Sequence, residues 1–170
     1  MRSFQIAMML SAVAVMVSGT ANAVTPPAKK KTAVAAVTAA PAPKVAKPHR
    51  VLIQVDQNDP VVMNLALNNA TNIIDYYRTK NEEVDIDLVA YGPGLNMFRT
   101  DTSPVQDRVK NLKDYAFPSK IQFSACNNTK EGMEKKEGHP VSLVSQAVLV
   151  PAGVVHLMEL QEKGWSYIRP

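Results

Sequence analysis

The sequence predicts an α/β domain with a mainly parallel sheet of five strands and helices on both faces. Two observations support this fold class. Segments with strand and helix patterns alternate through residues 49–170, with short connections between them. Residues 51–55 form a nearly continuous apolar run, typical of a parallel strand covered on both faces. Right-handed crossovers then give a doubly wound sheet.

The N-terminal third does not belong to this domain. Arg2 precedes an uncharged, mostly apolar run at residues 6–17, and Ala21, Asn22 and Ala23 form an A-x-A cleavage site. The run is shorter than the ~20 apolar residues of a membrane-spanning helix. We therefore expect residues 1–23 to be a signal peptide and the protein to be periplasmic, with no transmembrane segment after cleavage. The alternative is an uncleaved N-terminal anchor.

Residues 24–48 predict a disordered linker rich in Ala, Pro and Lys. They contain five prolines and five lysines, but no glycine and no aromatic residue. Six of the 19 basic residues precede His49, whereas all 15 acidic residues follow it. The domain itself is thus mildly acidic, which argues against a nucleic-acid-binding surface.

The first half of the domain begins with a clear helix signal. Asp59 is a good N-cap and Pro60 suits the first helical position, so a helix is expected to end near Lys80, with Leu65 in its apolar stripe. Residues 84–88 alternate strictly, which predicts a strand at the sheet edge with Asp85 and Asp87 on a wet face.

Further signals complete the element order. Residues 91–94 predict a rigid turn, and Ser103 with Gln106 predicts a capping box before the next helix. A strand at 121–125 leads to Cys126, and a short charged helix closes at Gly138. Another strand, at 147–150, precedes a helix that starts at Pro151, and residues 165–169 form the last strand. The apolar stripe of that helix is predicted to contain Val154, Val155, Leu157, Met158 and Leu160.

In open α/β sheets, ligands bind at the carboxyl ends of the strands, where the strand order reverses. Four loops are expected to meet there: residues 56–59, 91–94, 126–129 and 151–153. The candidate binding residues in these loops are Tyr91, Gly92, Gly94, Asn127, Asn128, Thr129, Pro151 and Gly153.

Cys126 is the candidate reactive residue. It is the only cysteine, so no intramolecular disulfide forms. A thiol at a strand end and a helix N-terminus has its pKa lowered by the helix dipole and free backbone N–H groups. The alternative is a structural cysteine, since free cysteines are among the most buried residues.

Other chemistry finds little support in the sequence. His139 is expected in an exposed loop, and His156 lies in the last helix with no partner visible, so neither is a strong base for Cys126. The aspartates near the strand ends do not form a metal constellation, and no C-x-x-C, H-E-x-x-H or G-x-S-x-G motif occurs. We expect neither a metal nor a cofactor.

Several of these segments together resemble the exported branch of the DsrE/DsrF-like sulfur-relay family. The similar segments are residues 51–55, 65–69, 91–94, 126–129, 150–154 and 164–168. The likeness covers the domain and none of the linker. It implies a flavodoxin-like fold and a homo-oligomer, often a trimer or hexamer.

The resemblance also implies that Cys126 accepts sulfane sulfur as a persulfide. The partners would then be a small sulfur donor or a sulfur-accepting protein, and the activity at most that of a sulfurtransferase-like carrier. The relay members work in the cytoplasm, whereas this chain is expected to be exported. The alternative function is a non-catalytic oligomeric binding module of the envelope, with a structural cysteine.

Overall fold

A computed structural model describes residues 47–170 of the chain. The expected signal peptide, and the linker up to residue 46, lie outside the described residues. The elements in chain order are β1 His49–Val55, α1 Pro60–Thr79, β2 Val84–Ala90, a 3-10 segment Gly92–Phe98, α2 Gln106–Tyr115, β3 Lys120–Cys126, α3 Asn127–Glu137, β4 Ala147–Val150, α4 Gly153–Glu162 and β5 Ser166–Ile168.

The five strands form one sheet in the order β4-β3-β2-β1-β5, and every neighbouring pair is parallel. The chain proceeds from β1 to β4 in one direction and then returns past β1 to add β5. Because right-handed crossovers in opposite directions place their helices on opposite faces, α4 lies across the sheet from α1, α2 and α3. The predicted doubly wound α/β class is confirmed, and the arrangement is consistent with a flavodoxin-like fold.

The two faces of the sheet are covered unequally. The face under α1, α2 and α3 carries the main core, with Ile53, Leu88 and Phe123 fully buried at its centre. On the other face the buried apolar cluster is small. It consists of Leu52, Val89, Leu157 and Leu160, with Tyr91 and Trp165 packed against it. The α4 face therefore leaves room for polar side chains on the sheet.

The predicted edge position of β2 is wrong. β2 is the middle strand of the sheet, and Asp87 is only 3% exposed. Asp87 faces α4 rather than water, since its carboxylate contacts His156 of that helix. Asp87 is accommodated there because it forms hydrogen bonds with Ser124, Gln122 and His156.

Local signals at the helix ends succeed in part. Asp59 caps α1 as predicted, since its Oδ1 accepts a hydrogen bond from the Val61 N–H at 2.8 Å. Gly138 ends α3 in the left-handed conformation, with φ of 76°. The capping box at α2 does not form, because the Gln106 side-chain oxygen accepts a hydrogen bond from Lys110 Nζ at 3.2 Å instead of one from the Ser103 N–H.

Two predicted apolar stripes are rotated in the structure. Leu65 of α1 is exposed. On α4, Gly153, Leu157 and Leu160 are buried, whereas Val154, Val155 and Met158 are about half exposed. A spacing of three and four residues links the buried set, so α4 packs through a narrower stripe than its composition suggests. Within residues 47–170, none of the helices combines the length and apolar character needed to cross a bilayer.

Candidate functional site

Cys126 lies where three elements meet. It is the last residue of β3 and also the N-cap of α3, so the strand runs directly into the helix. Its partner in the neighbouring strand is Val150, the last residue of β4, and α4 begins three residues later at Gly153. The N-termini of two helices therefore converge on Cys126, and both present the positive ends of their dipoles.

Polar groups at the starts of both helices lower the pKa of the Cys126 thiol. They are the Thr129 hydroxyl and the backbone N–H groups of Gly153, Thr129 and Asn128. Burial raises the pKa of the Cys126 thiol, but these donors lower it by more, so the net pKa lies below the ordinary value of a cysteine. The site thus favours the thiolate although the residue is only 5% exposed.

The Thr129 hydroxyl oxygen accepts a hydrogen bond from the Gly92 N–H at 2.9 Å. Because its oxygen is the acceptor in that bond, its proton remains available to the Cys126 sulfur, whose pKa it lowers. The Asn128 N–H donates a hydrogen bond to the Pro151 carbonyl oxygen at 3.2 Å, which ties the start of α3 to the loop before α4. These contacts join three of the four predicted loops around the thiol.

Two glycines permit the close packing of these loops. A Cβ at Gly153 would lie 2.9 Å from the Tyr91 Cβ and 3.1 Å from the Cys126 Cβ. At Gly94 it would lie 2.2 Å from the Val55 carbonyl oxygen. Only glycine therefore lets α4 begin against Cys126 and lets the 3-10 segment lie on the end of β1.

Tyr91 borders the site on the side of β1. Burial raises the pKa of its hydroxyl, and the charge of Asp56 raises it further. Asp56 accepts hydrogen bonds from Arg169 at 3.0 Å and from Gln54 at 2.9 Å. This polar group lies near the strand-order reversal between β1 and β5. Cys126, at the end of β3, lies two strands away from the reversal, at the carboxyl edge but not at the predicted switch point.

Most of the predicted binding residues adjoin the thiol, and two do not. Tyr91, Gly92, Asn128, Thr129, Pro151 and Gly153 surround Cys126 or hold its donors in place. Gly94 packs under β1 instead. The Asn127 side chain donates to Glu131 at 2.7 Å along α3, so it points away from the sulfur.

The histidines behave differently from each other. His139 is exposed in a loop beside Glu137, as predicted. His156 has a partner that sequence reasoning missed, because its Nε2 lies 2.9 Å from Asp87 Oδ2 across 69 positions of the chain. The alternation of β2, interpreted as a wet face, was the signal that could have indicated a polar cluster. Residues 47–170 contain no group of three or more side chains arranged to hold a metal ion.

The fold and the site together define a small doubly wound α/β domain with one cysteine at a strand end, where the neighbouring polar groups stabilise its thiolate. No family model matches the chain, and no curated protein matches it. A solved structure from Methanobacterium thermoautotrophicum, the protein of unknown function MTH1491, is 31% identical to it with a TM-score of 0.59. The match covers 72% of this chain and 99% of that one. The chain belongs to the same family as this archaeal protein.

Proposed function

We propose that the protein is a sulfur carrier that holds sulfane sulfur on Cys126 as a persulfide, without a cofactor. The observation that carries this proposal is the position of a shielded sulfur at the starts of two helices, α3 and α4, whose polar groups lower the pKa of the thiol. A structural cysteine in a core needs no donors, since a neutral thiol behaves as a small apolar group. Donors aimed at sulfur stabilise an anion, and a persulfide is such an anion near neutral pH.

The proposed chemistry needs no oxidant. The Cys126 thiolate attacks the terminal sulfur of an inorganic polysulfide, a new S–S bond forms on Cys126, and the polysulfide leaves one sulfur shorter. An acceptor thiolate then attacks the outer sulfur, and Cys126 departs as a thiolate. A thiol of low pKa is a good leaving group, so the same donors favour both transfers. The small exposed fraction of Cys126 favours a small inorganic donor.

Intact mass measurement tests this function. Incubation with polysulfide is expected to add about 32 Da per sulfur to the native protein, and reduction is expected to remove it. Cys126→Ser is the control and gains nothing. A folded wild-type protein that gains no sulfur over a range of donor concentrations contradicts the carrier function.

A second candidate function is a non-catalytic oligomeric binding module with a structural cysteine. The 5% exposure of Cys126 favours it, because buried thiols are commonly inert. A small thiol reagent separates the two candidates. The carrier reacts in its native state, faster than the unfolded chain at mildly acidic pH. The binding module reacts only after unfolding.

The proposal also includes a family and a cellular location for the protein. We place the chain in the exported branch of the DsrE/DsrF-like family, where the segments around Tyr91, Cys126 and Gly153 resemble the family pattern. Export by a signal peptide would put the thiol in the periplasm, where a lone cysteine finds no internal partner for a disulfide.

A further inference from the structure

The sheet face under α4 carries a buried polar cluster, which we call the Asp87 cluster: Asp87, Gln122, Ser124 and His156. Asp87 Oδ1 accepts the Ser124 hydroxyl at 2.7 Å, and its Oδ2 lies 2.9 Å from His156 Nε2. The Gln122 amide donates to both Asp87 and Ser124. Three residues of the sheet thus hold one residue of α4. Asp87 and Ser124 are almost completely buried, so these hydrogen bonds face little competition from water.

The Asp87 cluster provides the directional contact between α4 and the sheet. This helix has only ten residues, and its buried apolar contacts on the sheet are few: Leu157 and Leu160 against Leu52 and Val89. His156 lies on the same face of α4 as the buried Gly153, Leu157 and Leu160, with its side chain 19% exposed. Apolar contact is non-directional, whereas a hydrogen bond requires defined distances and angles. The His156 contact therefore fixes the rotation and register of α4 more strictly than its leucines do.

The cluster is also adjacent to the thiol site through both of its elements. His156 follows Gly153 by three residues, less than one helical turn, and the Gly153 backbone packs against Cys126, where an added Cβ would lie 3.1 Å from the Cys126 Cβ. Ser124 precedes Cys126 by two residues on β3, so both side chains lie on the same face of the strand. The cluster thus joins the first turn of α4 to β3 immediately next to Cys126.

We propose that the Asp87 cluster, with His156 as the positioning residue, holds the N-terminal turn of α4 against Cys126 and thereby keeps the Gly153 N–H on the sulfur anion. The inference deepens the proposed function, because it concerns the same thiol. His156 acts through the backbone of α4 and does not touch the sulfur as a base.

The test compares the ionisation of Cys126 in His156 variants. Thiolate absorbance in the ultraviolet is titrated against pH, and the titration of the matching Cys126→Ser protein is subtracted. His156→Ala is expected to raise the midpoint by about one pH unit, as when a thiolate loses one donor. His156→Gln keeps an N–H that reaches Asp87 and is expected to recover most of the shift.

Two controls keep the proposal falsifiable. Leu160→Ala removes an apolar contact from the same stripe about two turns beyond Gly153. It is expected to lower the melting temperature and leave the midpoint unchanged. Ser124→Ala removes a small partner from the cluster and is expected to raise the midpoint by less than His156→Ala, so it provides a test even if His156→Ala does not fold.

The outcomes separate this inference from the proposed function, since the titration requires no sulfur transfer. A raised midpoint in a protein that gains no sulfur upholds the inference and contradicts the carrier. Unchanged midpoints in folded His156→Ala or Ser124→Ala overturn the inference, whatever the sulfur loading. An equal rise in Leu160→Ala also overturns it, because any loosening of α4 would then suffice.

Discussion

At Gly153 the backbone of α4 lies too close to its neighbours for a side chain to fit. The added Cβ of Gly153→Ala would meet Tyr91 and Cys126 at 2.9 and 3.1 Å. We expect a loss of about 1–3 kcal/mol in the free energy of unfolding, because the first turn of α4 must shift. The shift also removes a donor from Cys126. Chemical denaturation measures the first effect and thiolate titration the second.

Gly132 is the matched control for Gly153→Ala. It lies within α3, and a Cβ there would have no neighbour within 4 Å. Gly132→Ala is expected to stabilise the protein by up to about 1 kcal/mol, because alanine favours the helix, and to leave Cys126 unchanged. If both variants change stability in the same direction, close packing at Gly153 is not the cause.

The Thr129 hydroxyl makes a separate contribution at the same sulfur. Thr129→Val keeps the shape of the side chain but removes the donor to Cys126 and the acceptor for the Gly92 N–H. We expect the pKa of Cys126 to rise by about one unit. Thr129→Ser is expected to retain the wild-type value. Reaction rates with a small thiol reagent as a function of pH provide the measurement, and equal profiles for valine and serine would disprove this role.

At the scale of elements, the buried Arg99 links the loop between the 3-10 segment and α2 to the end of α3. Arg99 is 4% exposed and contacts Asp101 at 2.7 Å and Glu137 at 2.6 Å. The Arg99 guanidinium lowers the pKa of Asp101 to about 2 and also lowers the pKa of Glu137. Arg99 therefore joins two segments of the domain through charged hydrogen bonds.

The two ion pairs of Arg99 predict that the stability of the domain depends on pH. The folded pKa values of both carboxyls lie below their unfolded values, so their stabilising effect is complete above the unfolded values and disappears as pH falls toward 2. Arg99→Met is expected to cost about 2 kcal/mol at neutral pH and much less near pH 2. Denaturation at both pH values measures the difference, and a cost that does not depend on pH would show that packing alone is lost.

At the scale of the whole molecule, the two edge strands and the outer face of α4 predict self-association. Within residues 47–170, β4 pairs with β3 alone and β5 with β1 alone, so each has one edge to which no described strand pairs. Large apolar side chains are about half exposed on two consecutive elements, β4 and α4: Val148, Leu149, Val154, Val155 and Met158. We expect a homo-oligomer that covers these side chains.

Light scattering at micromolar concentration tests this expectation. The wild-type protein is expected to have a multiple of the monomer mass, and Met158→Glu is expected to shift it toward the monomer while circular dichroism stays unchanged. Lys135→Glu on α3 reverses a charge on a helix with no buried side chain, and serves as the surface control. A monomeric wild-type protein contradicts the prediction.

The sequence was most informative where structure depends on neighbouring residues. Asp59 and Pro60 define the start of α1, because the cap and the first helical residues are adjacent in the chain. The strand before Cys126 likewise leads directly into α3. The position of β2 depends on strand order, which no local pattern encodes. A strand of alternating polar and apolar residues has the same sequence pattern at a sheet edge and beneath a helix that supplies polar partners. The pattern therefore predicts an exposed Asp87, which is buried in the structure.

Parts of the candidate site could be inferred, but its donors could not. The loops were predicted to meet because carboxyl ends of parallel strands share one edge. The approach of Gly153 to Cys126 and the pairing of His156 with Asp87 join residues far apart in the chain. Such contacts depend on how α4 crosses the sheet. The apolar residues of α4 predict a different rotation of the helix from the one in the structure.

The measurement that tests the central claim most directly is the ionisation midpoint of Cys126 in the native wild-type protein. The polar groups at the two helix starts lower the pKa of the thiol by more than its burial raises it, so the midpoint is expected below the ordinary value of about 8.5. It is expected to return to that value when the chain is unfolded. A native midpoint at or above the unfolded one would mean that burial dominates, and Cys126 would then be a structural cysteine.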